Sequence, residues 1–105
     1  MDKSNILNQL PADLSMEVFE QVGGNDKVLI ERIISKAHVT PDGQWYDQDR
    51  SEWVMVLKGE AKLQFEHGEL IHLQTGDYVD IEAHRKHRVS WTSEETETLW
   101  LAVHY

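Results

Sequence analysis

Glu52 heads an otherwise apolar run, Trp53-Val54-Met55-Val56-Leu57, and six residues separate it from Gly59. Further along, Thr75-Gly76-Asp77-Tyr78 opens a second passage leading to His84-Arg85-Lys86-His87-Arg88-Val89. A carboxylate and an imidazole on neighbouring inward-facing strands are oxygen and nitrogen donors that can share one metal ion. Without a metal, the same carboxylate can orient the ring. Counting by two along each strand puts Glu52 with Val54 and Val56, and His87 with Val89 and Trp91. Both polar side chains are thus expected among core residues, where an unpaired charge is expensive. The pair needs a structural or functional reason.

The loop before Glu52 is rich in side chains that could recognise a ligand: Gln44-Trp45-Tyr46-Asp47-Gln48-Asp49-Arg50-Ser51. Trp45, Tyr46, Trp91 and Trp100 could supply an aromatic wall, or simply pack the interior. His38, His67 and His72 carry no identifiable role, and His104 is expected to be a structural residue on an edge strand. No nucleophile–base arrangement, phosphate-cradling glycine loop or CxxC pair is present.

The elements that must position these residues are mostly strands. Val28–Ser35 is apolar and β-branched, and the pattern runs on through Ala37–Thr40 until Pro41-Asp42-Gly43 breaks it. Glu52–Lys58 and Glu60–Glu66 follow, joined at Gly59. The second alternates, with Ala61, Leu63 and Phe65 on one face and Lys62, Gln64 and Glu66 on the other. His67-Gly68 has the form of a two-residue hairpin turn. Segments 69–74, 78–81, 87–92 and 98–104 complete the set. This spacing predicts an all-β double-sheet barrel or sandwich over residues 25–105. Residues 1–24 read differently. Leu14, Val18 and Val22 recur every four residues, Ser15 can cap, and Gly23-Gly24 can stop a short helix, so a helical segment packed outside the barrel is predicted.

Composition narrows the partners. The chain has 105 residues, one domain's worth, and 40% hydrophobic content. It holds 10 basic against 19 acidic residues for a net charge of −9, a field that repels phosphate backbones, so nucleic acid is not an expected partner. No apolar run is long enough to span a bilayer, and no export signal is seen at the N-terminus. The chain lacks cysteine, so thiolate metal sites and disulfides are excluded and the cytoplasm is the expected location.

Two spaced motifs resemble those of the cupin family of small β-barrels, over roughly residues 37–104. Gly43, Glu52 and Gly59 fit the first motif, and Gly76 followed eleven residues later by His87 fits the second. The family's Pro-x-Gly between those two is replaced here by Glu82-Ala83-His84. Its paired histidines are replaced by Trp45 and Asp47, or by Tyr46 and Gln48 at the shorter spacing. The resemblance implies a double-stranded β-helix (jelly-roll) barrel whose mouth carries the Gln44–Ser51 loop. It also implies a ligand pocket bounded by Trp45, Tyr46, His84 and Trp91. For a divalent transition metal (Fe, Mn, Zn or Ni) it implies Glu52 and His87 as ligands, with Asp47 or Gln48 as further oxygen donors.

Three function classes are consistent with these residues. A barrel binding a small molecule, with or without metal, ranks first because the histidine pair that supports oxygen chemistry is absent. A metal-dependent dioxygenase, isomerase or epimerase on a small polar substrate comes second, and a structural or partner-binding barrel third. The apolar face of Trp53, Met55 and Leu57 and the resemblance to paired single-domain cupins imply a homodimer.

Overall fold

The computed structural model describes residues 1–105. Eight strands form two antiparallel sheets: β1 (Val18–Gly24), β2 (Leu29–Ser35), β3 (Glu52–Lys58), β4 (Glu60–Phe65), β5 (Leu70–Gln74), β6 (Tyr78–Ile81), β7 (His87–Thr92) and β8 (Thr98–His104). The five-stranded sheet runs β1-β2-β8-β3-β6, and the three-stranded sheet runs β5-β4-β7. The inner faces meet in one apolar core: Ile33, Val54, Val56 and Trp100 from the larger sheet, and Ala61, Leu63, Phe65 and Leu73 from the smaller. Strict alternation in β3 and β4 produces this, since every second side chain points to the same face.

The N-terminal segment corrects the expected helix. Residues 18–24 are a strand, and they pair with β2 from Val18↔Ile34 to Gly24↔Leu29, with a register shift between Gln21 and Gly23. Val18 and Val22 are four apart, which a period of two satisfies as well as a helical turn. The β-branched residues and the free edge of β2 decide the outcome, because an edge offers unpaired N–H and C=O groups to the segment. Gly23-Gly24 leads into a hairpin turn rather than a helix stop. There the Asn25 side chain accepts the N–H groups of Lys27 and Val28, at 2.8 and 2.9 Å. Residues before β1 cross the outer face of the sheet, tied down by Arg32. Its guanidinium donates to Glu20 and to the carbonyls of Ile6, Asn8 and Gln9. The Ser15 N–H and hydroxyl donate to Asp13, its carbonyl meets the His38 ring at 3.2 Å, and it caps no helix.

Three smaller differences bear on the site. The strand expected to reach Thr40 stops at Ser35, where Ala37 turns with a positive φ of 60°. Strand β8 is central, between β2 and β3, so His104 does not lie on an edge strand. Finally, β7 carries a bulge opposite the Lys62/Leu63 step: Trp91 pairs with Lys62, and Val89 with Leu63. The extra residue, Ser90, reverses the alternation. Val89 points inward while Trp91 points out, where the Lys62 ammonium lies 5.4 Å from its ring.

Candidate functional site

Between the two sheets lies a cavity of ≈ 80 Å³. Its polar lining is Glu31, Gln48, Glu52, His87 and His104, with Tyr46 beside them and Glu17 farther along at Ser35. Its apolar lining is Phe19, Ile33, Val54, Leu63, Ile81, Val89 and Trp100. Strand register explains the polar cluster. Glu52 is directly opposite His104 on β8, and Leu29 of β2 is opposite the same histidine. Glu31 stands two residues on from Leu29, so Glu31, Glu52 and His104 share the inner face.

His87 enters from the facing sheet. Tyr46 and His87 form an isolated antiparallel bridge, Tyr46 N–H donating to His87 O at 2.7 Å and His87 N–H to Tyr46 O at 3.2 Å. The Gln44–Ser51 loop is thereby stitched to β7, and the Tyr46 and His87 rings sit 5.6 Å apart. His87 Nδ1 donates to the Arg85 carbonyl at 2.8 Å, which turns Nε2 toward Glu52 Oε1 at 3.4 Å. Burial works against the charged ring, but the Glu52 carboxylate and the Arg85 carbonyl outweigh it and hold the pKa above the ordinary 6.5. The Tyr46 phenol is also pushed up, by burial first and then by the charge of Glu17, with Glu52 adding to it. In both groups burial is the largest influence, and the Glu52 charge contributes to each shift.

His104 is held at both ring nitrogens, Nε2 to Glu31 at 2.8 Å and Nδ1 to the Gln48 amide oxygen at 3.3 Å. Its Nε2 lies 3.9 Å from the second oxygen of Glu52. Glu52 is thus flanked by two imidazoles, neither at the 2.7–2.9 Å of a charge-assisted hydrogen bond. Glu17 accepts the Ser35 hydroxyl, which in turn accepts the Trp100 indole N–H at 3.1 Å.

Glu52, His87, Gln48 and Tyr46 are therefore gathered around one cavity. Asp47 and His84 pair with each other at 2.9 Å on the exposed rim. They line an outer vestibule that shares Glu31, Gln48 and His104 with the cavity. His84, standing where the family pattern has glycine, takes a positive φ of 64°, and its N–H donates to Gln48 O at 2.7 Å. Trp45 is 37% exposed and lines neither space. Trp91 is outside, because of the bulge. Sequence reasoning passed over Glu17, Glu31 and His104 as members of the cluster. Two signals were available: His104 has the same parity as buried Trp100 on β8, and Glu31 the same parity as Ile33 on β2.

A metal centre needs at least three donors converging at about 2.0–2.2 Å. No three His, Asp or Glu side chains are gathered in that way. Asp47 is turned to the rim, and His104 is engaged at both nitrogens. The donor set, as folded, does not fit a metal centre.

The cupin domain family matches residues 36–104. This chain belongs to the cupin family. The cupin is similar, with 36% identity and a TM-score of 0.93, to a proposed mannose-6-phosphate isomerase of Ralstonia eutropha JMP134, over 99% of this chain and 97% of that one. It also resembles a cupin superfamily protein of Desulfitobacterium hafniense DCB-2, at 17% identity and TM-score 0.74, over 90% and 82% of the two chains. A third similar structure is hydroxypropylphosphonic acid epoxidase of S. wedmorenis, at 17% identity and TM-score 0.73, over 87% of this chain and 51% of that one. A related structure of that type holds Fe(II). These last likenesses show the shared barrel. No curated protein sequence matches the cupin. No helix is long and apolar enough to cross a membrane.

Proposed function

We propose that this cupin binds a small molecule inside its barrel, with Glu52 and His87 as the orienting polar groups. One observation carries the proposal: the interior is not filled. At about 10–15 Å³ per water-sized position, ≈ 80 Å³ accommodates about five to eight non-hydrogen atoms. Apolar walls with a few convergent polar groups are the usual make-up of a ligand site. A core built only for stability would close this space, since each unfilled methyl-sized void costs about 1 kcal/mol.

Fragments of that size, screened by NMR against the whole chain, are expected to shift the Trp100 indole N–H and His87 ring signals. Val54→Phe, which fills the cavity from β3, is expected to abolish those shifts while the β-rich circular dichroism spectrum is kept. If no neutral or charged fragment moves either signal, the barrel is a structural module.

A second function, isomerisation of a small hydroxy-carbonyl compound, is supported by the Glu52–His87 contact and by the 36% identical relative. The pair places a base beside a ring able to return a proton. Mannose-6-phosphate itself is a poor fit. It is about twice the size the cavity holds, and no lysine or arginine lines the interior to meet a phosphate.

A homodimer is also proposed. On the outer face of the larger sheet, Trp53 is opposite Val103, and Met55 opposite Leu101 and Tyr78. The row ends in a Tyr78 side chain that is mostly exposed and packs its ring 5.2 Å from Trp53. A contiguous apolar row on a sheet face fits a two-fold partner. Light scattering at tens of micromolar should give about twice 12.2 kDa, and a clean monomer would exclude the pairing.

A further inference from the structure

The lining of the cavity has one sign. Glu17, Glu31 and Glu52 face it, with His87 and His104 as its other ionisable groups apart from Tyr46, and neither lysine nor arginine contributes. Even with both imidazoles charged, three ionised carboxylates leave the lining at −1. The vestibule outside adds Asp47 and Asp49 against a single Arg50. A low-dielectric cleft lined by one sign of charge focuses the field and concentrates counter-ions. The whole chain, at −9, reinforces it.

The three carboxylates are not equivalent. Glu17 is taken by Ser35, and Glu31 by His104. Glu52 is only 9% exposed, yet its nearest ring nitrogens stand at 3.4 and 3.9 Å. Both imidazoles are thus partners of Glu52 at more than charge-assisted distance, so a donor seated at about 2.7–2.9 Å would be a closer partner than either. The donor arrangement also discriminates between kinds of cation. A monatomic ion needs ligands converging on one point, which is not found. An ammonium group instead sends three hydrogen bonds outward at 2.7–2.9 Å, each to a separate acceptor.

We propose that the ligand of this cavity is a small organic cation, a primary ammonium compound of about five to eight non-hydrogen atoms, with Glu52 as its counter-ion. This rests on the small-molecule reading and specifies its chemical class. The ammonium sits at the Glu52 end, and its carbon chain lies along Ile33, Val54, Leu63 and Trp100. Entry is through the acidic vestibule, past Glu31, Gln48 and His104, which border both spaces. The Glu17 and Glu52 charges, which add to burial in pushing the Tyr46 phenol up, would also draw the cation in.

Three probes of nearly equal size separate the classes: n-butylammonium, n-butanol and butyrate. Each is titrated at neutral pH into the EDTA-treated full chain, with the Trp100 indole N–H and His87 ring signals as readouts. Butylammonium is expected to bind about tenfold or more tighter than n-butanol, and butyrate weakest of the three. Glu52→Gln keeps the side chain's shape and removes its charge, and should bring butylammonium down to the level of n-butanol. If Glu52→Gln does not fold, Glu31→Gln removes one cavity charge and should shrink the preference in the same direction. Butanol or butyrate binding as tightly as the amine would overturn the cation assignment while leaving a ligand pocket. A preference that survives Glu52→Gln undiminished would overturn it too. No response to any probe would overturn both the cation and the pocket.

Discussion

Trp100→Ala is expected to destabilise the protein by about 3–5 kcal/mol. The indole is 3% exposed on β8, the central strand of the larger sheet, and packs into the core cluster between the sheets. Two losses add. The large ring leaves a void that rigid strands on both sides cannot collapse, and void volume costs about 24 cal/mol per Å³. The Ser35 hydroxyl, fully buried, also loses its indole donor, although it still donates to Glu17. Urea unfolding followed by far-ultraviolet circular dichroism measures the effect. A loss under about 1 kcal/mol would mean that the ring is not part of a packed interior. The same variant enlarges the cavity, so a folded Trp100→Ala protein should accept longer probes than the wild type.

Most strands could be read from the chain because alternation is strongest where one face is buried. Glu60–Phe65 shows this, with Ala61, Leu63 and Phe65 buried and their neighbours less so. The Glu52–His87 pair was legible for the same reason: each stands in phase with valines that face the core. Three things were not legible. A bulge leaves no local trace, so Ser90 gave no warning that Trp91 would face outward; only the pairing with β4 reveals it. The N-terminal strand was ambiguous, because residues four apart satisfy both helical and extended periods. Its identity depends on a tertiary partner, the edge of β2, which no local pattern encodes. Finally, Glu31 and His104 meet Glu52 through the β2-β8-β3 order. Residues 31, 52 and 104 become neighbours only when the last strand inserts between two earlier ones. Sequence spacing identifies which side chains point inward. Strand order decides which of them meet.

Gly59→Ala is expected to be destabilising by about 2–5 kcal/mol, combining an imposed left-handed backbone with a steric clash. Gly59 is the single residue between β3 and β4, where the chain leaves the five-stranded sheet for the three-stranded one. It turns with φ +90°, a conformation that L side chains rarely adopt. A Cβ there would lie 2.7 Å from Thr98 Oγ1, 2.8 Å from Glu97 O and 2.9 Å from Thr98 Cα. Two of these atoms belong to the backbone entering β8, and Thr98 is fully buried with its hydroxyl donating to Glu60 O at 3.2 Å. Relief would require moving the start of the central strand, two residues from Trp100 of the cavity lining. Gly68→Ala supplies the control. Its φ is +98°, so the backbone penalty is of the same kind, but nothing stands within 4 Å of the added carbon. It should cost only about 1–2 kcal/mol. Chemical unfolding of both variants separates conformational strain from collision. Equal losses at the two positions would show that β8 yields to the extra carbon, and the rigid crossing between sheets inferred here would have to be given up.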